Sequence, residues 1–133
     1  MRVCAAVLLA TLVACDGSPS QPDRVPTGQP FDLRVGDSAL TTDDLRIRFD
    51  TVRSDSRCPL DALCVRAGEA VIALTISRVG EIPVGRELDT TPARSSTTFQ
   101  NFTITLSSLQ PYPRSGRQIQ PGDYLATLAV RTN

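Results

Sequence analysis

The stretch LRIRFD at positions 45–50 alternates strictly between apolar and charged residues. Successive side chains of a β-strand point to opposite faces of the sheet, so this stretch predicts a strand with one buried face and one solvated face. Val52 breaks the alternation, which predicts a β-bulge near Asp50 and Thr51.

The same period of two recurs on both sides of this stretch, at 31–35, 102–107 and 124–130. Residues 70–77 are apolar on both faces and predict a central strand, whereas Gly80, Pro83 and Gly85 interrupt 79–88 and predict an edge strand or a turn. Six to eight short strands in about 103 residues favour an all-β domain, an antiparallel β-sandwich of the immunoglobulin-like kind. A small β-barrel is the alternative.

Composition excludes several classes of function for this 133-residue chain. Its formal charge is zero, with 14 basic and 14 acidic residues, whereas a nucleic-acid-binding protein normally carries a basic excess. All basic residues are arginine, and histidine, lysine and tryptophan are absent, which removes histidine-dependent and lysine-dependent catalysis and most transition-metal sites. No catalytic residue, metal or cofactor is therefore assigned. Paired carboxylates remain the only acid–base option, with Asp55, Asp61 and Glu69 as the nearest set.

The N-terminal residues have the pattern of an export signal. Arg2 precedes an uncharged apolar run at 3–14 that is too short to span a membrane, so residues 1–14 predict a signal helix. The run ends in LVAC at 12–15, which resembles the lipobox of bacterial lipoprotein precursors. That resemblance implies cleavage before Cys15 and lipidation of Cys15; a signal peptide without lipidation is the alternative. Residues 15–30 contain four prolines and predict a disordered tether, followed by the β-sandwich domain at 31–133.

Cys58 and Cys64 are the remaining cysteines of the predicted domain. In an exported protein they are expected to form a disulfide, because a zinc site would need further ligands that the chain does not supply. Closing this loop contributes about 2.4 kcal/mol in the chain-entropy model. A stiff loop on a β scaffold is a common place for recognition, so the residues around it form a candidate binding loop: Asp55, Arg57, Arg66 and Glu69. The alternative is a structural staple in which Asp55 pairs with Arg57.

The stretch DSRCPLDALCVRAGEAVIAL at 55–74 resembles a group of small uncharacterised bacterial exported proteins and lipoproteins with a DSRCP…C…AGEA signature. The group continues with a PYP turn and a DY strand, which match 111–113 and 123–124 here. An aromatic residue often precedes AGEA in the group, whereas this chain has Arg66. The resemblance implies fold and export, and it implies no activity.

Together these patterns predict a lipoprotein of the bacterial cell envelope. Its lipid anchor would lie in the inner or outer membrane, with the domain in the periplasm or outside the cell. The predicted function is a non-catalytic binding or structural module with an envelope protein or a glycan as partner and with no nucleic acid. An exported inhibitor of a hydrolase and a small carboxylate-dependent hydrolase are the alternatives. The sequence leaves the oligomeric state open.

Overall fold

A computed structural model describes residues 24–133 of the chain. The predicted signal helix, the lipidation of Cys15 and residues 16–23 of the predicted tether lie outside the described residues. Within the described range, no helix is long and apolar enough to cross a membrane.

The regular structure of residues 24–133 consists of eight β-strands and one short 3₁₀-helix. The strands are β1 (Pro30–Arg34), β2 (Ser38–Leu40), β3 (Leu45–Asp55), β4 (Ala70–Arg78), β5 (Val84–Asp89), β6 (Ser96–Phe99), β7 (Phe102–Gln110) and β8 (Leu125–Thr132), and the 3₁₀-helix is Pro121–Asp123.

The strands form two antiparallel four-stranded sheets that pack around one core. One sheet has the order β1-β8-β7-β6 and the other the order β2-β3-β4-β5, and they are not closed into a barrel. The predicted β-sandwich is therefore confirmed. Its strand order differs from that of an immunoglobulin constant domain, because every neighbour in the sheets is consecutive in sequence except β1 and β8.

The alternation at 45–50 has the predicted structural effect. Leu45, Ile47 and Phe49 of β3 are completely buried, and each contributes about 1.5–3 kcal/mol through the burial of its side chain. The register of β3 against β4 shifts between Phe49 and Thr51, so the predicted bulge is confirmed. Tyr124 and the inward-facing residues of β8, namely Ala126, Leu128 and Val130, belong to the same core.

The two ends of the sandwich carry different connections between the strands. At the first, called the loop end, β3 is joined to β4 by residues 56–69 and β7 to β8 by residues 111–124. The second, called the terminal end, carries the turns β2–β3, β4–β5 and β6–β7, and the C-terminal Asn133 bonds there to Asn101.

The start of the described chain belongs to the folded domain. The Val25 N–H donates to the Leu40 carbonyl (2.9 Å) and the Gly28 N–H to the Val130 carbonyl (2.7 Å). Residues 24–30, assigned from sequence to the tether, are therefore held at the terminal end by main-chain hydrogen bonds. Proline content did not reveal this, because the pairing depends on a distant strand edge.

Candidate functional site

Asp55 and Arg57 form a buried ion pair at the loop end. The Arg57 side chain is 3% exposed and that of Asp55 is 10% exposed. The guanidinium donates from Nε to Asp55 Oδ1 (2.8 Å) and from Nη2 to Asp55 Oδ2 (2.6 Å). This two-pronged geometry is the strongest form of an arginine–carboxylate pair.

Arg57 also joins the two sheets. Its Nη1 donates to the Leu109 carbonyl at 2.6 Å and its Nη2 to the Pro111 carbonyl at 3.0 Å. The Tyr112 ring covers the guanidinium, with 4.7 Å from Cζ to the ring centroid. The arginine therefore connects the end of β3 to the end of β7.

Tyr124 completes what we call the Arg57 network, which consists of Asp55, Arg57, Tyr112 and Tyr124. The Tyr124 hydroxyl donates to Asp55 Oδ2 at 3.0 Å. Burial acts to raise the pKa of Asp55, but the hydrogen bonds and charge of Arg57 and the Tyr124 hydroxyl hold that pKa below its usual value. Burial and the adjacent Asp55 carboxylate raise the pKa of Tyr124 to about 12. Asp55 is therefore ionised and Tyr124 neutral around pH 7.

The Arg57 network unites residues from the three stretches on which the predicted resemblance is based. Asp55 and Arg57 belong to DSRCP, Tyr112 to PYP and Tyr124 to DY. The first two lie at the end of β3, and the others lie on either side of the 3₁₀-helix. These signature residues hold the loop end together.

Gly68 of AGEA lies where the two sides of the loop meet. The Ser56 N–H donates to the Glu69 carbonyl (2.8 Å) and the Cys58 N–H to the Ala67 carbonyl (2.7 Å). Gly68 has φ +67°, and a Cβ at this position would lie 1.8 Å from the Ser56 carbonyl oxygen. Only glycine allows this approach of the two main chains.

Beyond this junction, Cys58 and Cys64 form the expected disulfide. The loop is also bonded to the segment that follows β7: the Leu60 N–H donates to the Pro113 carbonyl (3.0 Å) and the Ser115 N–H to Asp61 Oδ1 (2.8 Å). The Ser115 hydrogen bond lowers the pKa of Asp61, which is therefore ionised at neutral pH. The loop main chain is thus held on both sides of the disulfide.

Three aliphatic side chains of this constrained loop extend into solvent. Leu63 and Val65 are 106% and 104% exposed, and Leu60 is 62% exposed. We call Leu60, Leu63 and Val65 the apolar tip. Loops normally present polar groups to water, so three exposed aliphatic side chains on a constrained loop make this segment a candidate interaction surface.

The predicted site residues have different surroundings. Arg66 is exposed beside the apolar tip, and Glu69 lies next to Arg94, with 3.4 Å between Oε1 and Nη2. Asp55 and Arg57 are instead largely buried and paired with each other in the network, so they do not present free charges to a partner. This is the pairing that the staple interpretation predicted.

Sequence reasoning missed the apolar tip. Its signal was available: Leu60, Leu63 and Val65 are aliphatic residues in a short loop that has no strand alternation. The neighbouring residues do not encode their exposure, because the loop is held by hydrogen bonds to Pro113 and Ser115, which lie more than fifty residues further along the chain.

A cavity of about 400 Å³ lies on the side of the Arg57 network, beside the bulge of β7. Gly68, Pro92, Ser107 and Tyr112 line parts of its wall. The carboxylates Asp55, Asp61 and Glu69 each have a partner of their own, namely Arg57, the Ser115 N–H and Arg94. Within residues 24–133, no cluster of three or more side chains suits a metal ion.

Comparisons of the chain with known protein families, curated proteins and solved structures found no match.

Proposed function

We propose that this protein is a lipid-anchored bacterial envelope protein whose β-sandwich is a non-catalytic binding module. The apolar tip is its binding element. The observation that carries the proposal is the full exposure of Leu63 and Val65 on a loop held by the disulfide and by the Arg57 network.

The energetics of such a tip favour association. Burying an aliphatic side chain in a partner contributes about 1.5–3 kcal/mol relative to leaving it in water. A loop already held in one conformation loses little entropy when it binds, so more of that gain is retained as affinity. The same residues on a mobile loop would bind more weakly.

The anchor and the tip lie at opposite ends of the domain in this proposal. The LVAC sequence at 12–15 supports lipidation of Cys15, and the chain enters the domain at the terminal end through Arg24 and Val25. The 11-residue strand β3, about 36 Å long at 3.3 Å per residue, runs from that end to the loop end. With the anchor at Cys15, the chain would enter the domain at the end opposite the tip, and the tip would be free to face away from the bilayer.

An exported inhibitor of a hydrolase is the second candidate function. It is favoured by the same convex, constrained loop, which would enter a substrate cleft and stay bound there. It differs from a general binding module only in the identity of the partner.

The test compares two pairs of exposed aliphatic residues in the full-length protein. Leu63→Ser with Val65→Ser removes the tip, and Val79→Ser with Ile82→Ser removes residues that are 69% and 86% exposed at the terminal end. We expect the tip variant to lose at least tenfold of its co-purifying envelope partner, equivalent to about 1.4 kcal/mol, and the control to lose none. Equal partner recovery by wild type and tip variant would contradict the proposal.

A further inference from the structure

Three arginines flank the apolar tip, and we call Arg66, Arg114 and Arg117 the arginine rim. Arg66 follows Val65 directly, and Arg114 follows Pro113, whose carbonyl accepts the Leu60 N–H. The Arg117 N–H donates to the Arg114 carbonyl at 3.2 Å. None of the three forms an ion pair within residues 24–133.

The rim has a positive excess. Within 58–67 and 111–117, Asp61 is the only acidic residue against the three rim arginines. Asp61 carries one negative charge, part of which acts on Arg114, so it offsets the three arginines only in part. The nearby Arg57 adds no free charge, because Asp55 neutralises it.

From this arrangement we infer that the tip binds a folded protein whose apolar cleft is bordered by carboxylates, an inference that rests on the proposed function. The aliphatic side chains of the tip fill the cleft. The planar guanidinium groups of the rim pair with carboxylates at its border, for which their forked donors are suited.

An anionic lipid surface has related chemistry, since it also combines apolar and negatively charged groups. The position of the chain start favours a protein instead. The route to Cys15 leaves the domain through Arg24 at the terminal end, and the tip lies at the loop end. A membrane that holds the anchor would lie nearer the terminal end than the tip, which favours a protein as the partner.

The experiment places a benzophenone amino acid at position 63 of the full-length chain in growing cells, with position 82 as the control. We expect irradiation to give a discrete protein adduct from position 63 and not from position 82. Mass spectrometry of the adduct should map the contact to an apolar cleft with carboxylates beside it. Absence of a position-63 adduct would contradict the proposed function itself.

Charge reversal then tests the inference separately. Arg66→Glu with Arg114→Glu should weaken binding to the purified partner at least tenfold, and changing the mapped carboxylates to arginine should restore it. Arg46→Glu with Arg131→Glu is the matched control and should leave the Kd unchanged, because both arginines are exposed near the terminal end and neither forms an ion pair within residues 24–133. If position 63 gives a protein adduct but charge reversal at Arg66 and Arg114 leaves the Kd unchanged, the inference is overturned and the proposed function still holds.

Vesicles of phosphatidylethanolamine and phosphatidylglycerol test whether the tip binds an anionic lipid surface instead of a protein. We expect the purified protein carrying Cys15→Ser not to sediment with them. Sedimentation that requires Leu63 and Arg66, or position-63 adducts with phospholipid, would overturn the inference in favour of a membrane surface.

Discussion

At the scale of single residues, Arg57 bonds to one largely buried carboxylate and to two main-chain carbonyls, one in β7 of the other sheet and one just after it. Removing it leaves Asp55 as an uncompensated buried charge. We expect Arg57→Ala to lower the free energy of unfolding by about 3–5 kcal/mol in urea titrations. Arg53→Ala is the control, because Arg53 and Glu87 are both 61% exposed and such pairs contribute about 0–1 kcal/mol. Similar losses for the two variants would contradict the structural role of Arg57.

The network also predicts how stability depends on pH. The folded-state pKa of Tyr124 is raised to about 12, so the folded protein retains a proton that the unfolded chain releases near pH 10. This contribution is fully present below pH 10 and is lost as the pH rises towards 12. Asp55 behaves in the opposite sense: its pKa is lowered, so its contribution is present above its unfolded value and is lost as the pH falls through the folded value.

The chain has no lysine, and arginine stays protonated over the whole range, so basic side chains do not contribute to the change in stability at alkaline pH. The wild type should lose stability between pH 10 and 12, as measured by thermal melting. We expect Tyr124→Phe to lose much less stability over the same range. Tyr112→Phe, whose ring covers Arg57 but whose hydroxyl does not bond Asp55, is the control and should keep the decline. Identical alkaline profiles for wild type and Tyr124→Phe would refute the assignment.

At the scale of structural elements, Gly68 determines whether the two sides of the disulfide loop can meet. Gly68→Ala combines a left-handed φ of +67° with a Cβ placed 1.8 Å from the Ser56 oxygen. We expect a loss of about 2–5 kcal/mol in unfolding free energy, from strain and overpacking together. Gly116→Ala separates the two causes, because Gly116 has φ +71° but nothing within 4 Å of its Cβ position, and should cost about 1–2 kcal/mol. Equal costs would show that the close approach to Ser56 is unimportant.

Several of the strands could be predicted from the sequence. Period-two alternation predicts β3 and β8, and the apolar run at 70–77 predicts the interior strand β4. The sequence does not reveal the turn between β6 and β7, because residues 97–109 have the composition of a strand throughout. Gln100, with φ 53°, turns the chain there, and a local pattern does not encode that conformation.

At the scale of the whole molecule, the described chain begins at the end of the sandwich opposite the apolar tip, and the predicted anchor at Cys15 precedes it in the sequence. We expect Cys15→Ser to move the exported protein from the detergent phase to the aqueous phase, or to leave an uncleaved precursor, because two acyl chains anchor stably. Cys4→Ser is the control, since Cys4 lies inside the segment that cleavage would remove, and should leave partitioning unchanged. Wild-type protein found wholly in the aqueous phase after confirmed export would contradict lipidation.

The sequence by itself determined the class of fold, the bulge in β3 and the cysteine pair, because each depends on neighbours along the chain or on the expected export of the protein. For 79–88 it left an edge strand and a turn open, and the sheet order shows β5 as an edge strand. Only the tertiary structure decided what the loop residues do. Arg57 and Arg66 are nine residues apart in a charged loop, yet one is buried and the other exposed. The difference arises because Leu109 and Pro111, more than fifty residues away, supply carbonyl acceptors to Arg57 alone. Burial depends on such distant partners, and a pattern of neighbouring residues does not contain them.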